Sequence, residues 1–588
     1  HPEWLNLLHY KVSQGILSGA KIKYESFVDD DAFFLANTGD TDPQAEMLAT
    51  IEGLFDTRNT GNEHAQCRFP ARRTWLEQQL AIQGLPSVRC PLYDEWRGMI
   101  HAGSVVLVFP AHHLNSPSSM FGHTLLRLDS KPDREHTDWL AFGVNFGANV
   151  PAGDNSILYA YRGLTGGYPG QFIVEPYFKK IQEYNRDENR DIWEYPLNLT
   201  QEETTRLVTH LWELKDINFD YFFFTENCSY RLLELLEVAR PGTELTDEFV
   251  ISAIPIDTVR AVERGGFISS TRYRPAMATR LKHQLAALPD DLRPLLIQLA
   301  EAPHTTAKEL NQLPPETRYY ALETSYTGLR YQQAKRTRDK NAAQHSHAIL
   351  NKLSEQAIQP EVPIPSPTAP QSGHESKRIT TRIGRDDDRN YTELELRMAY
   401  HSLLDNQYGF LSGAQINMGN TSLRRYDDGS VKLERLDAAD IFSLTPRDTF
   451  FNQLSWRVYG GLERINTDKG RPLAVHVTGG GGYAYTAGSG TVFALLSGRV
   501  EHNRDMDETA EIAIGPQLGW LYQTPFGAGM VNASGLQFSG GEQRLDFGIE
   551  QNIVLSLNHA LRVSLDRRWH EYGGDATEFS LGYHWYFR

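Results

Sequence analysis

Cys228 stands at a place in the sequence where a thiol could become reactive. It lies in FTENCSYRLLELL, after the aromatic run 219–224 and at the start of a segment whose apolar residues recur with helical spacing. The unpaired N–H groups and the positive dipole end of a helix start stabilise a thiolate, and the N–H groups of Cys228 and Ser229 could also bind an oxyanion. The pattern predicts a nucleophile, although a cysteine that only packs in the core would show the same spacing.

A nucleophilic thiolate needs an imidazole close by as its base. His123 follows a glycine at the start of the predicted strand 122–129, from where its ring can project at a sheet edge. A histidine at a strand start can equally be a structural residue. His112 and His113 are adjacent, but the sequence has no matching cluster of cysteine, histidine or carboxylate residues at ligand spacing. We therefore predict no metal site and no cofactor.

The elements that must position these two residues belong to a mixed region of strands and helices. Short apolar runs at 104–109, 122–129 and 138–147 are typical of strands, and Thr200 with Glu203 has the pattern of a capping box before a helix. The chain divides into five predicted regions: a helical N-terminal region (1–98), a catalytic domain (99–275), a second helical region (276–357), a Pro-rich linker (358–378) and a β-barrel (379–588).

The last region has a different pattern, in which apolar residues alternate with polar or small ones in about twelve segments. The apolar positions include Leu394, Leu396, Met398 and Tyr400; Leu454, Trp456 and Val458; Ile512, Ile514, Leu518 and Trp520; and Phe579, Leu581, Tyr583, Trp585 and Phe587. One apolar face on an even number of strands predicts a transmembrane barrel of about twelve antiparallel strands. A soluble β-sandwich or a lipocalin-like barrel, with its apolar face inside, is the alternative.

Composition and cysteine usage favour an exported protein. With 58 Lys and Arg against 74 Asp and Glu, the net charge of −16 disfavours a nucleic-acid partner. No uninterrupted apolar stretch is long enough for a transmembrane helix, and a start at His1 without Met is expected after removal of a secretory signal. In an oxidising compartment Cys67 and Cys90 are the natural disulfide pair, which leaves Cys228 free; in the cytosol all three would be reduced.

Several segments of the first half resemble known acyltransferases. ENCSYRLLELL resembles the Asn-Cys helix start of the lecithin:retinol acyltransferase family, a circularly permuted branch of the NlpC-type, papain-like thiol enzymes in which the His strand precedes the Cys helix. More closely, residues 1–275 resemble the Lnb-type lipoprotein N-acyltransferases. The segments that recur in order are WLNLLHY, FFLANTGDTDPQAEMLAT, QCRFPARRTWL, HLNSPSSMFGHTLLRL, AFGVNFGA, GGYPGQF, RDIWEYPLNLT and ENCSYRLLELL.

The resemblance implies a fold and roles for individual residues. The fold would be α+β, with a permuted papain-like thiol domain, helical N-terminal and middle regions and the C-terminal barrel. Cys228 would be the nucleophile and His123 the general base and acid. Asn145 occupies the place of the group that orients the imidazole, although it can also be a turn residue. Weaker candidates near the site are Ser119, Glu226 and Asn227.

The resemblance also implies a cysteine-dependent acyltransferase in the envelope of a Gram-negative bacterium. Its donor would be a phospholipid and its acceptor the N-terminal amine of a diacylglyceryl-cysteine lipoprotein, joined through a Cys228 thioester. The thiol domain would be periplasmic and the barrel in the outer membrane. Aromatic residues 221–224 would either line an apolar entrance or simply fill the core. Two other functions remain open: a peptidoglycan amidase or endopeptidase with the same Cys/His pair, and a non-enzymatic envelope scaffold.

Overall fold

The computed structural model describes residues 1–14, 22–111, 122–130, 140–151, 153–154, 156–304, 307–334, 339–360, 363–505 and 510–588. Two compact units make up the chain, His1–Ala276 and Met277–Arg588. Among the described residues, no helix combines the length and the apolar character that crossing a membrane requires.

The first unit combines ten helices and nine strands within its described residues. In chain order these are α1 (Pro2–Leu7), β1 (Tyr10–Gln14), β2 (Ile22–Ser26), α2 (Pro43–Phe55), α3 (Ala65–Arg68), α4 (Pro70–Leu80), α5 (Pro91–Met99), β3 (Ser104–Pro110), β4 (Leu125–Asp129), β5 (Phe142–Ala148), α6 (Ser156–Thr165), β6 (Pro169–Pro176), α7 (Tyr177–Ile181), β7 (Ile192–Pro196), α8 (Gln201–Glu213), β8 (Phe219–Asp220), α9 (Cys228–Ala239), α10 (Pro255–Arg264) and β9 (Arg272–Arg274). Seven strands form one antiparallel sheet in the order β8-β6-β5-β4-β3-β7-β9.

Two helices of this unit begin directly after residues whose side chains accept hydrogen bonds from the first backbone N–H groups of the helix. Asp42 accepts hydrogen bonds from the N–H groups of Gln44 and Ala45, both at 3.0 Å, ahead of α2. The predicted capping box is confirmed, because Thr200 and Glu203 each accept from the other's backbone N–H at the start of α8.

The sequence predicts a helical region for residues 1–98, and this prediction is wrong for one part of it. Strand β1 pairs with β2 as an antiparallel ribbon. The reason is local: Val12, Ile22 and Tyr24 alternate with polar residues at a period of two, which favours a strand over an amphipathic helix.

A disulfide ties two parts of the helical region together. The sulfur atoms of Cys67 and Cys90 are bonded, with their Cα atoms 5.2 Å apart and 23 positions between them in sequence. Trp212 on α8 donates its indole N–H to the carbonyl oxygen of Cys67 at 2.8 Å, so the cross-linked segment is also held to α8. Cys228 is a free thiol.

Within the part that the structure describes, the second unit begins with five α-helices that share one apolar core. They are α11 (Met277–Ala286), α12 (Arg293–Glu301), α13 (Ala307–Gln312), α14 (Pro315–Gln333) and α15 (Lys340–Ser354). Their buried leucines pack with Phe450 and Phe451 from a loop between barrel strands. The absence of a side chain at Gly328 lets the ring of Phe450 approach α14, since a Cβ there would lie 2.6 Å from it.

The rest of the unit is a β-barrel. Its strands are β10 (Lys377–Asp386), β11 (Arg389–Arg397), β12 (Ala399–His401), β13 (Ala414–Tyr426), β14 (Val431–Ser443), β15 (Ser455–Arg464), β16 (Leu473–Ala487), β17 (Gly490–His502), β18 (Glu511–Thr524), β19 (Gly527–Phe538), β20 (Gln543–Ser556), β21 (His559–His570) and β22 (Gly574–Phe587). Pairing of β10 with β22 and of β11 with β13 closes a ring of twelve antiparallel strands among the described residues. The predicted α+β class with a twelve-stranded barrel is confirmed.

The barrel carries its apolar face outside. The exposed positions include Leu394, Val477, Leu496, Ile512, Ile514, Leu545 and Phe579. The interior is filled by buried ion pairs, among them Arg378–Glu395, Arg382–Glu393, Arg424–Glu578, Arg457–Asp440 and Arg544–Glu501. A lipocalin-like barrel would have the opposite arrangement, so that alternative is wrong. The pattern matches transmembrane barrels.

Tyr400 departs from the outward face on which its alternation placed it. The residue is 1% exposed although β12 continues the pairing of β11 with β13 in the same register, and its ring packs against that of Phe410 with centroids 5.4 Å apart. The segment that follows β12 is held by Asp405, whose carboxylate accepts hydrogen bonds from Arg397 at 2.6 Å and from the Tyr586 hydroxyl at 2.7 Å.

Candidate active site

Cys228 is the first residue of α9, as the sequence predicted. The helix is capped by Asn227, whose Oδ1 accepts from the N–H groups of Ser229 at 3.0 Å and Tyr230 at 3.3 Å. The Asn227 amide also donates to the carbonyl oxygens of Phe223 and Ala253. Asn227 therefore fixes the backbone that carries the thiol, whose residue is only 4% exposed.

The imidazole of His123 lies against this thiol. His123 precedes β4, which begins at Leu125 rather than at Gly122, and its Nε2 atom is 2.5 Å from Oδ1 of Asn145 on the neighbouring strand β5. The ring also hydrogen-bonds the Cys228 thiol. Because Nε2 is engaged by Asn145, Nδ1 is the nitrogen left for sulfur. The fold thus brings Cys228, His123 and Asn145 together.

The surroundings of the thiol set its acidity. Burial alone raises the pKa of Cys228, but the charge and hydrogen bond of His123 outweigh it, helped by the N–H of Thr124 and the hydroxyl of Ser229. The resulting pKa is about 7, against 9.0 for an unperturbed thiol. A substantial fraction of the sulfur is therefore thiolate at neutral pH.

Tyr221 is a polar neighbour of the thiol that the sequence pattern did not predict as a site residue. Its phenol lies close enough to the backbone N–H and the thiol of Cys228 to interact with both, and burial raises its pKa well above the usual value of 10.0. The hydroxyl therefore stays protonated at neutral pH and lies beside the N–H at the start of α9. The only sequence signal was its place in FDYFFFTENC, seven residues before the cysteine.

The remaining candidates have other surroundings. The hydroxyl of Ser229 accepts from Thr124 at 2.9 Å and lies 3.7 Å from the sulfur of Cys228. The Ser229 N–H donates to Asn227 instead of being free for an oxyanion, so that part of the prediction is wrong. The carboxylate of Glu226 pairs instead with Arg231 at 2.5 Å. Ser119, with His112 and His113, lies outside the described residues.

One group of possible metal ligands occurs among the described residues, and it lies in the barrel. His374, His401 and Asp405 have ligand atoms within 4.8 Å of one another. Asp405 already pairs with the guanidinium groups of Arg397 and Arg562. Positive charges around its only carboxylate make this group a poor cation site.

Comparisons with protein-family models match four segments of the chain. Residues 92–265, which contain Cys228, His123 and Asn145, match the family model of the Lnb N-terminal periplasmic domain. Residues 1–79, 271–364 and 367–586 match three domains of unknown function (DUF7843, DUF7842 and DUF7840). No curated protein matches the chain.

Solved structures similar to this chain include outer-membrane proteins. KdgM porin is 10% identical with a TM-score of 0.22, covering 36% of this chain and 99% of its own. A loop-deletion mutant of OmpT from Vibrio cholerae is 8% identical with a TM-score of 0.20, covering 36% and 97%. A bacterial polysaccharide outer membrane secretin is 11% identical with a TM-score of 0.23, covering 37% and 99%.

The matched domain and the barrel together locate the protein. The family model describes a periplasmic domain, and the barrel has an apolar exterior around a polar, ion-paired interior. The chain is an envelope protein with a periplasmic domain and a barrel in the outer membrane. The Lnb match is consistent with an enzyme that processes lipoproteins.

Proposed function

We propose that this protein is a cysteine-dependent acyltransferase that moves an acyl chain from a phospholipid to the N-terminal amine of a diacylglyceryl-cysteine lipoprotein. The observation that carries the proposal is the thiol of Cys228, with a pKa of about 7, facing an imidazole that Asn145 orients. The order of the His strand before the Cys helix also supports a permuted papain-like domain. The match to the Lnb domain supports lipoprotein as the acceptor class.

The first half-reaction forms a thioester. The Cys228 thiolate attacks the carbonyl carbon of a phospholipid ester, and a C–S bond replaces the C–O bond. The imidazolium of His123 gives its proton to the departing lyso-alkoxide. We assign the Cys228 N–H and the Tyr221 hydroxyl, which neighbour the thiol, as the donors to the oxyanion of the tetrahedral intermediate.

The second half-reaction transfers the acyl chain to nitrogen. The lipoprotein amine attacks the thioester carbon, a C–N bond replaces the C–S bond, and neutral His123 takes the proton that the amine loses. The sulfur leaves as the thiolate, so the site returns to its starting charge. The product is a triacylated lipoprotein.

Transfer requires that water stay away from the thioester. Cys228 is almost fully buried, and the neighbouring Tyr221 stacks on Phe146 with ring centroids 5.8 Å apart. Aromatic walls suit an acyl chain better than a peptidoglycan stem peptide, which favours acyl transfer over the amidase alternative.

Mass spectrometry of a model lipoprotein tests the proposal. The full chain, reconstituted with phospholipid and a diacylated lipoprotein, is expected to convert the N-terminal amine to an amide, and Cys228→Ala is expected to abolish this product. Ser87→Ala, an exposed serine of the same unit, is the matched control and should retain activity. Amide formation by Cys228→Ala, or release of muropeptides without any amide product, would refute the proposal.

A further inference from the structure

Four large apolar side chains of the first unit are exposed around residues 221–224, which we call the aromatic segment and which precede Cys228. Tyr161 and Leu164 are 65% and 51% exposed, and they lie three positions apart on one face of α6. Val250 and Ile251 are 86% and 57% exposed in the loop before α10. We call these four residues the apolar rim.

Helix α6 is fastened directly to the aromatic segment. The N–H of Phe223 donates to the carbonyl oxygen of Gly163 at 2.8 Å. Gly163 and Gly166 allow this approach, because a Cβ at either position would lie 2.2 or 2.3 Å from the rings of Phe223 and Phe222 respectively. One half of the rim is thus held against the residues that precede the nucleophile.

The other half of the rim is fastened to the same segment from its far end. The N–H of Ala253 donates to the carbonyl oxygen of Phe224 at 2.6 Å, and the carbonyl oxygen of Ala253 accepts from Asn227 at 2.7 Å. Val250 and Ile251 therefore lie within three residues of a position bonded to the cap of α9. Both halves of the rim flank four consecutive residues, 221–224, that lead to Cys228.

We propose that the apolar rim inserts into a phospholipid leaflet and that the acyl donor reaches Cys228 across it. Exposure of Val, Ile, Leu and Tyr side chains to water is unfavourable in free energy, whereas their transfer into a lipid surface is favourable. The rim is joined to the residues before the thiol by the backbone hydrogen bonds of the aromatic segment, and the same chain carries an outer-membrane barrel. The inference rests on the proposed function for its substrate, but insertion of the rim is a separate physical event.

Depth-dependent quenching tests the insertion without any catalytic step. A Cys228→Ala chain carrying Val250→Cys is labelled with the fluorophore NBD and reconstituted into nanodiscs that contain doxyl-labelled phosphatidylcholine. The same label at Gln83→Cys, an exposed polar position outside the rim, is the control. We expect doxyl lipid to quench the label at 250 and not the label at 83. Equal quenching at both positions, or quenching at 250 only after a lipoprotein is added or only in a crosslinked dimer, would overturn the proposal.

A paired activity measurement separates the rim from the chemistry. The double substitution Val250→Asp and Ile251→Asp should lower acylation of Cys228 by vesicle phospholipid about tenfold or more, since two apolar side chains no longer enter the lipid. Acylation by a short-chain, water-soluble ester and alkylation of Cys228 by iodoacetamide should be unchanged. An unchanged rate with vesicles overturns the role of the rim, whereas failure of both esters to acylate the wild-type protein would count against the proposed function and leave the quenching result to decide insertion.

Discussion

The Nε2 atom of His123 lies 2.5 Å from the Oδ1 atom of Asn145. An amide oxygen can only accept, so Nε2 carries the proton and donates it in this hydrogen bond. In the neutral imidazole Nδ1 is then the acceptor, and it is the nitrogen that remains for the Cys228 thiol. Asn145 thereby selects the tautomer that can take the proton of the thiol.

Replacement of Asn145 should slow the chemistry without emptying the site. Asn145→Ala removes the acceptor that orients the ring, and we expect single-turnover acylation of Cys228 to slow about 10²-fold. Asn145→Asp keeps an acceptor oxygen and should recover much of that loss. Asn149→Ala, an exposed residue just beyond the same strand, is the control. An Asn145→Ala enzyme with the wild-type rate would remove Asn145 from the mechanism.

The reactivity of the thiol should follow a titration near neutral pH. Alkylation of Cys228 by iodoacetamide is expected to rise with pH and reach half its maximum near pH 7, because only the thiolate reacts. His123→Ala removes the main influence that lowers this pKa and leaves burial, which raises it, so the midpoint should move upward toward 9.0 or beyond. The disulfide-bonded Cys67 and Cys90 do not contribute to the signal.

The same pKa shift makes a prediction about stability. The pKa of Cys228 is lower in the folded chain than in the unfolded chain, so ionisation of the thiol stabilises the fold. This contribution to the free energy of unfolding is complete above pH 9.0 and is lost as the pH falls through about 7. Denaturant midpoints of wild type and Cys228→Ala, compared across pH 6 to 10, should therefore diverge as the pH rises. A constant difference over that range would contradict the lowered pKa.

A buried cation holds part of the N-terminal region together. Arg72 on α4 is fully buried, donates to Glu46 at 2.8 Å and lies 3.5 Å from Glu213. Arg72→Met leaves two buried carboxylates without their partner and should cost about 3–5 kcal/mol. Arg73→Met breaks only the partly exposed pair with Glu77 and should cost about 0–1 kcal/mol. Urea midpoints followed by tryptophan fluorescence compare the two variants, and similar midpoints would contradict the prediction.

An arginine on the outward face of the barrel should lower its stability most at the middle of a strand and least near a strand end. Leu496 lies at the middle of β17 and is 61% exposed on the exterior, so Leu496→Arg should destabilise the barrel in phospholipid vesicles by about 2–4 kcal/mol. Ile512 lies on the same face near the end of β18, and Ile512→Arg should cost about 0–1 kcal/mol. Equal costs at the two positions would mean that this face does not contact lipid.

Features encoded by local sequence were predictable. The period of two along the strands indicated the barrel and its strand number, because the alternation of faces can be recognised in each strand without knowing which strands pair with it. The capping pattern at Thr200 and Glu203 and the helix start at Cys228 are likewise local. The ribbon formed by β1 and β2 also follows from local alternation, but the helical pattern of the surrounding region hid it. The burial of Tyr400 depends instead on a contact with Phe410, ten positions away, which alternation along one strand does not reveal.

Within the site the division is similar. The chemistry of Cys228 and His123 followed from a helix start and a strand start, and Asn145 required the family resemblance because its partner lies 22 positions away on another strand. Tyr221 could not be singled out, since an aromatic run does not indicate which hydroxyl turns toward the thiol. Its place beside the Cys228 N–H depends on how β6, α6 and α9 pack together.

The bond between Cys67 and Cys90 has a consequence for biogenesis. Three cysteines entering an oxidising compartment allow three pairings, and only one of them leaves Cys228 unconsumed. Cys67 and Cys90 close a much shorter loop than either would close with Cys228, so chain statistics favour the productive pairing from the start. Oxidative maturation of this chain therefore spares its own nucleophile, and burial of the sulfur at the head of α9 then shields it from later oxidants.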